Sequence, residues 1–297
     1  MWIAPSPGRC PFPTRHPNFR GVLTAGVASL ARELHGHDLV LVIGAPVFRY
    51  HQFEPGEFLG AGTTLIHLTS DPAEAARAPF GEAFVAGIGP TLHLIAERST
   101  KTERPAVTAR ARIASAPVGK GVLSGENVFD LIAEVAPSDA VYVDESPSTT
   151  EAMWQRLPMV ASSSYFFPGA GGLGFGLPAA LGVQLALPQR RVIAFIGDGS
   201  ANYSITGLWT AAQHRIPVIF IILKNGVYGA LEWFAKVLHA ENVPGLRVPA
   251  IDFCSLAKAY GVHAHRANTI EELRSTLQIA LKQTSPVLIE VETLFKI

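Results

Sequence analysis

A chain of 297 residues, 48% hydrophobic and 16% charged, carries enough apolar material for the cores of two domains. Its 24 basic and 24 acidic residues cancel, so no basic stripe or acidic tail marks a partner of nucleic acid or of a membrane surface. Two cysteines, Cys10 and Cys254, exclude a disulfide framework and point to a reducing cytoplasm. No apolar run reaches the length of a membrane span, and Met1-Trp2-Ile3-Ala4-Pro5 lacks the architecture of a signal peptide.

In chain order, residues 2–4 read as a scrap of strand and 5–17 as a proline-rich loop in which His16 is a packing or loop histidine. Residues 21–35 fit an amphipathic helix, and 38–43 a buried strand ending at Gly44-Ala45-Pro46. A strand at 63–68 follows, then a short helix opened by Asp71-Pro72, with proline in its first turn. Residues 84–86 suggest a third strand and 90–97 a helix. This alternation predicts a parallel α/β domain over residues 1–98. Residues 99–120 have no helical or strand period and read as a linker.

The second domain, 121–297, opens with a helix at 126–135 and a strand at 140–143. A loop rich in hydroxyls, Asp144-Glu145-Ser146-Pro147-Ser148-Thr149-Thr150, leads into a helix at 151–156. Hydroxyls and amides at a helix start suit an anion, and a plain N-cap explains them almost as well. Strands at 192–196 and 217–223 flank a helix at 205–214, which is a βαβ unit with both strand ends on one edge. A helix at 230–238, a loop at 242–249, a helix capped by Asp252 and running to 260, a helix at 270–283 and a strand at 287–291 complete the chain. The fold class expected is α/β, two parallel-sheet domains with helices on both faces.

The chemistry concentrates where those two central strands end, at Gly197-Asp198-Gly199 and Lys224-Asn225-Gly226. That edge is where open α/β sheets bind ligands. A carboxylate and an amide oxygen are hard donors suited to Mg²⁺ or Ca²⁺, and the glycines allow close approach of the backbone, so a metal there could anchor a diphosphate. Taken alone, either motif is also an ordinary turn. Gly169-Ala170-Gly171-Gly172-Leu173-Gly174 matches the dinucleotide fingerprint G-x-G-x-x-G, with Asp198 as the following acid. That reading is weakened by the short strand before it, 165–167, closed by Pro168, and it gives Asn225-Gly226 no role.

The two motifs together resemble the metal and diphosphate site of the thiamin diphosphate-dependent enzymes. The wider text resembles the benzoylformate decarboxylases among them, in CPFPTRHP from Cys10, HDLVLVIGAPVFRYHQ from His37, AGGLGFGLPAALGVQLA from Ala170, GDGSANYS from Gly197, YGALEWFAKVL from Tyr228 and AENVPGL from Ala240. The resemblance implies Mg²⁺ held by Asp198, Asn225 and the main-chain carbonyl of Val227. It implies cofactor contacts from Ser146, Ser148, Gly197, Gly199, Ser200 and Tyr228, with the Gly171 carbonyl on the aminopyrimidine and Leu173 wedging the cofactor into a bent form. His51 matches a proton-transfer histidine, and imidazole titrates in the range such a role needs. Ala230, Leu231 and Phe234 match the lining of an aryl pocket, although Leu231 and Phe234 also form an ordinary i, i+3 core pair. His214, His239, His263 and His265 read as structural or surface residues.

Two positions depart from the family pattern. Lys224 replaces the commoner first Asn, and a lysine beside a diphosphate is electrostatically tolerable. Pro147 stands where a hydroxyl residue is found. The activity implied is decarboxylation of an aromatic 2-oxo acid, benzoylformate to benzaldehyde and CO₂, by a carboxy-lyase that is a dimer or tetramer in full-length form. The glutamate that activates the cofactor belongs to a pyrimidine-binding domain with no counterpart in this sequence, and the first domain matches only part of the family's middle domain. The expectation is therefore a C-terminal portion that is inactive alone. The alternatives are a carboligase of the acetohydroxyacid synthase type and a non-catalytic cofactor-binding subunit.

Overall fold

A computed structural model of the chain describes residues 1–48, 56–100, 113–119, 121–248 and 250–295. They fall into two units, one of Met1–Pro7 with Pro17–Arg110 and one of Gly8–His16 with Ala111–Ile297.

In the first unit, β1 (Trp2–Ile3) pairs in parallel with β2 (Gly21–Val22), and α1 (Val27–Glu33) follows. The helix expected from residue 21 starts six residues late because Gly21 lies at φ 130°, outside the helical region, and its strand partner is Trp2. Next come β3 (Leu39–Ile43), β4 (Thr64–Thr69), α2 (Pro72–Arg77), β5 (Glu82–Val85) and α3 (Ile88–Arg98). Asp71 caps α2 by accepting from the Ala73 amide at 2.8 Å. Strands β3, β4 and β5 form one parallel sheet in that order. Val40, Val42 and Leu65 face a core with Leu30, Leu34 and Phe48, and the alternate residues Leu39 and Leu41 on β3 are exposed.

The second unit is a six-stranded sheet, every strand parallel to its neighbours. In chain order it holds α4 (Gly125–Val135), β6 (Val141–Glu145), α5 (Thr150–Arg156), β7 (Tyr165–Phe166) and α6 (Gly176–Ala186). Then come β8 (Val192–Gly197), α7 (Asp198–Ala201), α8 (Gly207–Gln213), β9 (Ile219–Lys224) and α9 (Gly229–Val237). Finally α10 (Phe253–Ala259), β10 (His263–Ala267), α11 (Ile270–Ala280) and β11 (Val287–Glu292) close the chain. The strand order is β10-β11-β9-β8-β6-β7.

The central strands are apolar without alternation because both faces are covered. Val143, Ala194, Phe220 and Leu288 lie in register on one face and pack with Leu177 of α6, Leu208 of α8 and Phe253 of α10. On the other face, Phe129 of α4 meets Phe195 of β8 edge-on, ring centroids 5.0 Å apart. The proline-rich segment that the sequence places in the first domain belongs here. Arg9 bridges Phe166 at the edge of β7, and Thr14 and Met159 exchange hydrogen bonds at 3.0 and 2.9 Å. An open strand edge needs such a partner for its amides and carbonyls. Among the described residues no helix is long and apolar enough to cross a membrane.

The path from β6 through α5 goes outward to β7, and the return through α6 crosses to β8 on the far side of β6. The order therefore reverses between β6 and β8, and the crevice outside their C-terminal ends is the natural ligand site of such a sheet.

Candidate cofactor site

Three strand ends meet at that crevice. Asp198 follows β8 directly and is 2% exposed; its carboxylate accepts from the Gly199 amide at 2.9 Å and from the Gly226 amide at 2.7 Å. Gly226 sits at φ 73°, the left-handed turn that lets its amide point back. Asn225 Oδ1 accepts from the Val227 amide at 3.1 Å, and its Nδ2 donates to Ser148 Oγ at 3.2 Å, which ties the end of β9 to the loop after β6. Burial raises the pKa of Asp198 above the ordinary carboxylate range, against the pull of the Gly226 and Gly199 amides and the more distant Lys224 charge. A buried carboxylate with no ion-pair partner among the described residues is a ready seat for a cation.

The loop after β6 is shaped by a carboxylate. Asp144 is fully buried and accepts from the Ser146 amide at 2.9 Å, Thr150 Oγ1 at 2.7 Å and the Tyr165 hydroxyl at 3.2 Å. Desolvation pushes its pKa up. Ser146 is buried, with Oγ accepting from Thr149 Oγ1 at 2.9 Å, and the loop turns so that Ser148 reaches Asn225. Next along β6, Glu145 projects to the opposite face, as alternation requires. It accepts from the amides of Gly174, Phe175 and Gly176, the last at 2.6 Å. The glycine-rich loop is thus bound to the end of β6.

Tyr228 lies over Gly199 so closely that a β-carbon there would be 2.5 Å from its Cε1. Gly197 faces Ser200 Oγ and Ser146 Oγ across the crevice floor, and Val227 is buried and bridged to Arg247. Gly171 is exposed at φ 71° and Leu173 half-buried, both on the loop that Glu145 holds. Ala230, Leu231 and Phe234 lie on α9, where Leu231 is 53% exposed and Phe234 packs edge-on against Trp233 at 4.9 Å. They do not border the shallow cleft of about 380 Å³ beside α9, which is lined by Glu232, Ala235, Asn242 and Arg247 among others. His51 lies outside the described residues.

Lys224 does not stand beside the expected diphosphate. Strand alternation turns it to the face of α10, where Nζ donates to the Ile251 carbonyl at 2.8 Å and lies 3.4 Å from Glu290. Arg266 Nε meets the same carboxylate at 2.9 Å. Asp252, Cys254 and Glu290 cluster there, but the two cations already neutralise Glu290, so nothing is left wanting a metal. The dinucleotide reading also loses its ground. Its loop follows the edge strand β7 instead of opening at the switch point, and Glu145 engages the amide of its last glycine, Gly174, with those of the next two residues, Phe175 and Gly176.

Sequence reasoning missed Asp144 and Glu145 as organisers of the site. The signal was an acidic pair closing an otherwise apolar strand, Val141 to Glu145, where a charge inside a parallel sheet needs a reason.

Comparison with known proteins agrees with this geometry. Residues 148–291 match the family described as thiamine pyrophosphate enzyme, C-terminal TPP binding domain. A benzoylformate decarboxylase of Pseudomonas aeruginosa is 58% identical over 292 residues, 98% of this chain and 55% of that protein. The solved structure of a Rhodococcus jostii RHA1 thiamine diphosphate-dependent 4-hydroxybenzoylformate decarboxylase superposes with a TM-score of 0.96 at 54% identity, covering 99% of this chain and 56% of that one. An acetolactate synthase large subunit of Pyropia yezoensis is 35% identical over 144 residues, 47% of this chain and 24% of that protein. The chain thus spans about half the length of the relatives it matches. With a C-terminal cofactor-domain match over the very strand ends that converge on Asp198, the chain belongs to the thiamin diphosphate-dependent enzymes.

Proposed function

We propose that the chain holds thiamin diphosphate through Mg²⁺ at the switch-point crevice and serves the non-oxidative decarboxylation of an aromatic 2-oxo acid, benzoylformate to benzaldehyde and CO₂. The observation that carries the reading is Asp198, a buried carboxylate with no ion-pair partner among the described residues, hydrogen-bonded across to the loop that bears Asn225. The donor set fits the metal. Each Asp198 oxygen accepts one amide and keeps a lone pair, as does Asn225 Oδ1, and a single carboxylate with neutral oxygens suits Mg²⁺ that also binds phosphate and water. The Val227 carbonyl is assigned as the third protein ligand. Ser146, Ser148, Gly197, Gly199 and Ser200 are assigned to the diphosphate, and Tyr228, Gly171 and Leu173 to the organic part of the cofactor.

When bound, the thiazolium supplies the electron sink for the pair left by departing CO₂. The protein binds and orients it, His51 moves the proton, and Ala230, Leu231 and Phe234 face the aryl group. Likeness over 98% of the chain to a benzoylformate decarboxylase, against 47% to an acetolactate synthase, favours decarboxylation over the carboligase reading. In this reading residues 1–98 are part of the middle domain, apart from the segment Gly8–His16, and 99–120 are a linker. The partner is a pyrimidine-binding domain within a homo-oligomer, and two unpaired cysteines fit a cytoplasmic setting.

Asp198→Ala is expected to abolish Mg²⁺-dependent thiamin diphosphate binding measured by calorimetry, and unchanged affinity would remove the assignment. In an enzyme completed with its pyrimidine-binding half, phenylglyoxylate is expected to exceed pyruvate in kcat/KM. The reverse preference would move the chain to another branch of the family.

A further inference from the structure

We propose that Glu145 is a positioning residue for the cofactor, fixing the glycine-rich loop 169–175, and with it the organic end of thiamin diphosphate, relative to the diphosphate anchors Asp198 and Asn225. The inference rests on the cofactor reading given above and extends it to a residue outside the expected contact set.

Glu145 belongs to both halves of the site at once. Its backbone forms part of the crevice wall, since its carbonyl oxygen would lie 3.7 Å from a β-carbon on Gly197. Its side chain leaves through the other face of the sheet. There Oε1 accepts from the Gly174 amide and, at 3.1 Å, from the Phe175 amide, while Oε2 accepts from the Gly176 amide at 2.6 Å. These bonds join positions about thirty residues apart, so the loop is tied to the strand and not merely to itself.

The contact is built in. Gly176 has no room for a side chain, because a β-carbon would come within 2.8 Å of Glu145 Oε2 and also strike Ile196. The start of α6 can approach the carboxylate only because that residue is glycine. Within the loop, Gly171 and Gly174 lie at φ 71° and 95°, and the Gly171 amide makes a single turn bond to the Pro168 carbonyl at 3.0 Å. A segment with so little regular structure takes its position from what grips it.

The charge matters as well as the reach. Glu145 is 1% exposed and pairs with no cation among the described residues; burial raises its pKa, and the three amides at the start of α6 pull the other way as the groups that compensate the carboxylate. A glutamine of the same length would offer one acceptor oxygen and turn an NH₂ group toward an amide N–H. An ordinary helix cap would support the fold equally for any ligand. A residue that sets the loop against the anchors matters only to a ligand that touches both.

The test follows from that difference. Inorganic pyrophosphate probes the anchors alone, and thiamin diphosphate probes anchors and loop. Both are titrated with Mg²⁺ into the wild-type chain and into Glu145→Gln, by calorimetry. The expected result is thiamin diphosphate binding weakened at least about tenfold, the loss of one charge-assisted hydrogen bond, with pyrophosphate affinity unchanged. Equal weakening of both ligands would make Glu145 a support of the fold only and overturn the proposal, as would no change in either. A wild-type chain that fails to bind thiamin diphosphate would instead sink the cofactor reading itself. Should Glu145→Gln not fold, Gly174→Ala displaces the loop from its other side, where φ 95° disfavours alanine and Tyr203 lies 3.2 Å from the new β-carbon. The same selective loss is expected, and an unchanged thiamin diphosphate affinity would overturn the proposal.

Discussion

Asp198 and Asn225 were legible as residues because each stands one or two positions past an apolar run, and parallel strands put such positions together. Glu145 and Asp144 were not, because what they do depends on amides and hydroxyls far along the chain. Gly199 illustrates the same limit: as a sequence letter it is a turn residue, yet its role is to let the Tyr228 ring sit 2.5 Å from where a β-carbon would be. Gly199→Ala is expected to displace that ring and destabilise the second unit by about 1–3 kcal/mol, the usual cost of overpacking, read as a lower urea midpoint. Asp144 predicts a pH effect. Burial raises its folded pKa above the unfolded value, so folding favours the protonated form, and stability falls as pH rises from the ordinary carboxylate range through that raised value. Asp144→Asn has no such proton to lose. Its stability relative to wild type should therefore improve steadily as pH rises above the ordinary carboxylate range, measured by denaturant titration at each pH. A constant difference would show that Asp144 keeps an ordinary pKa.

At the scale of elements, the six-stranded sheet was largely readable, and the exceptions have physical causes. Helix α6 is apolar around most of its circumference, so no amphipathic stripe announces it. Strand β10, His263–Ala267, is an edge strand with exposed histidines and an arginine, so it lacks the apolar run of its neighbours. Its Arg266 joins Lys224 in holding Glu290, whose side chain is 3% exposed and also accepts from the Phe253 amide at 3.0 Å. That network ties β9, β10, β11 and α10 together, and it explains why lysine stands at 224. Lys224→Asn should lower stability by about 1–3 kcal/mol by stripping a buried carboxylate of one partner. It should leave Mg²⁺-dependent thiamin diphosphate binding within about twofold of wild type by calorimetry, since the lysine's ammonium is held by the Ile251 carbonyl and Glu290. A large loss of affinity would return Lys224 to the diphosphate.

At the scale of the molecule, each unit leaves apolar surface uncovered. In the first, Leu39, Leu41, Phe84 and Val85 are exposed; in the second, Tyr203, Trp209, Leu231, Trp233 and Leu238 are. Apolar surface on this scale marks contacts with other chains or promotes aggregation. The carboxylates around the crevice carry the argument further. Activation of the cofactor needs a carboxylate free to hydrogen-bond the aminopyrimidine. Asp198 is assigned to the metal, Asp144 is occupied by Ser146, Thr150 and Tyr165, and Glu145 by three loop amides. In the proposed reading all three are committed elsewhere, Asp198 to the metal and the other two to holding the loops, so they would seat the cofactor without activating it. The chain is therefore expected to bind thiamin diphosphate but to release no benzaldehyde from phenylglyoxylate on its own. Activity should appear when a pyrimidine-binding half bearing a free glutamate is added in trans, with a single chain-to-partner stoichiometry by analytical ultracentrifugation. Turnover by the chain alone near the ordinary enzymatic scale, on the order of 10 per second, would mean that one of these three carboxylates leaves its hydrogen bonds to do the activation.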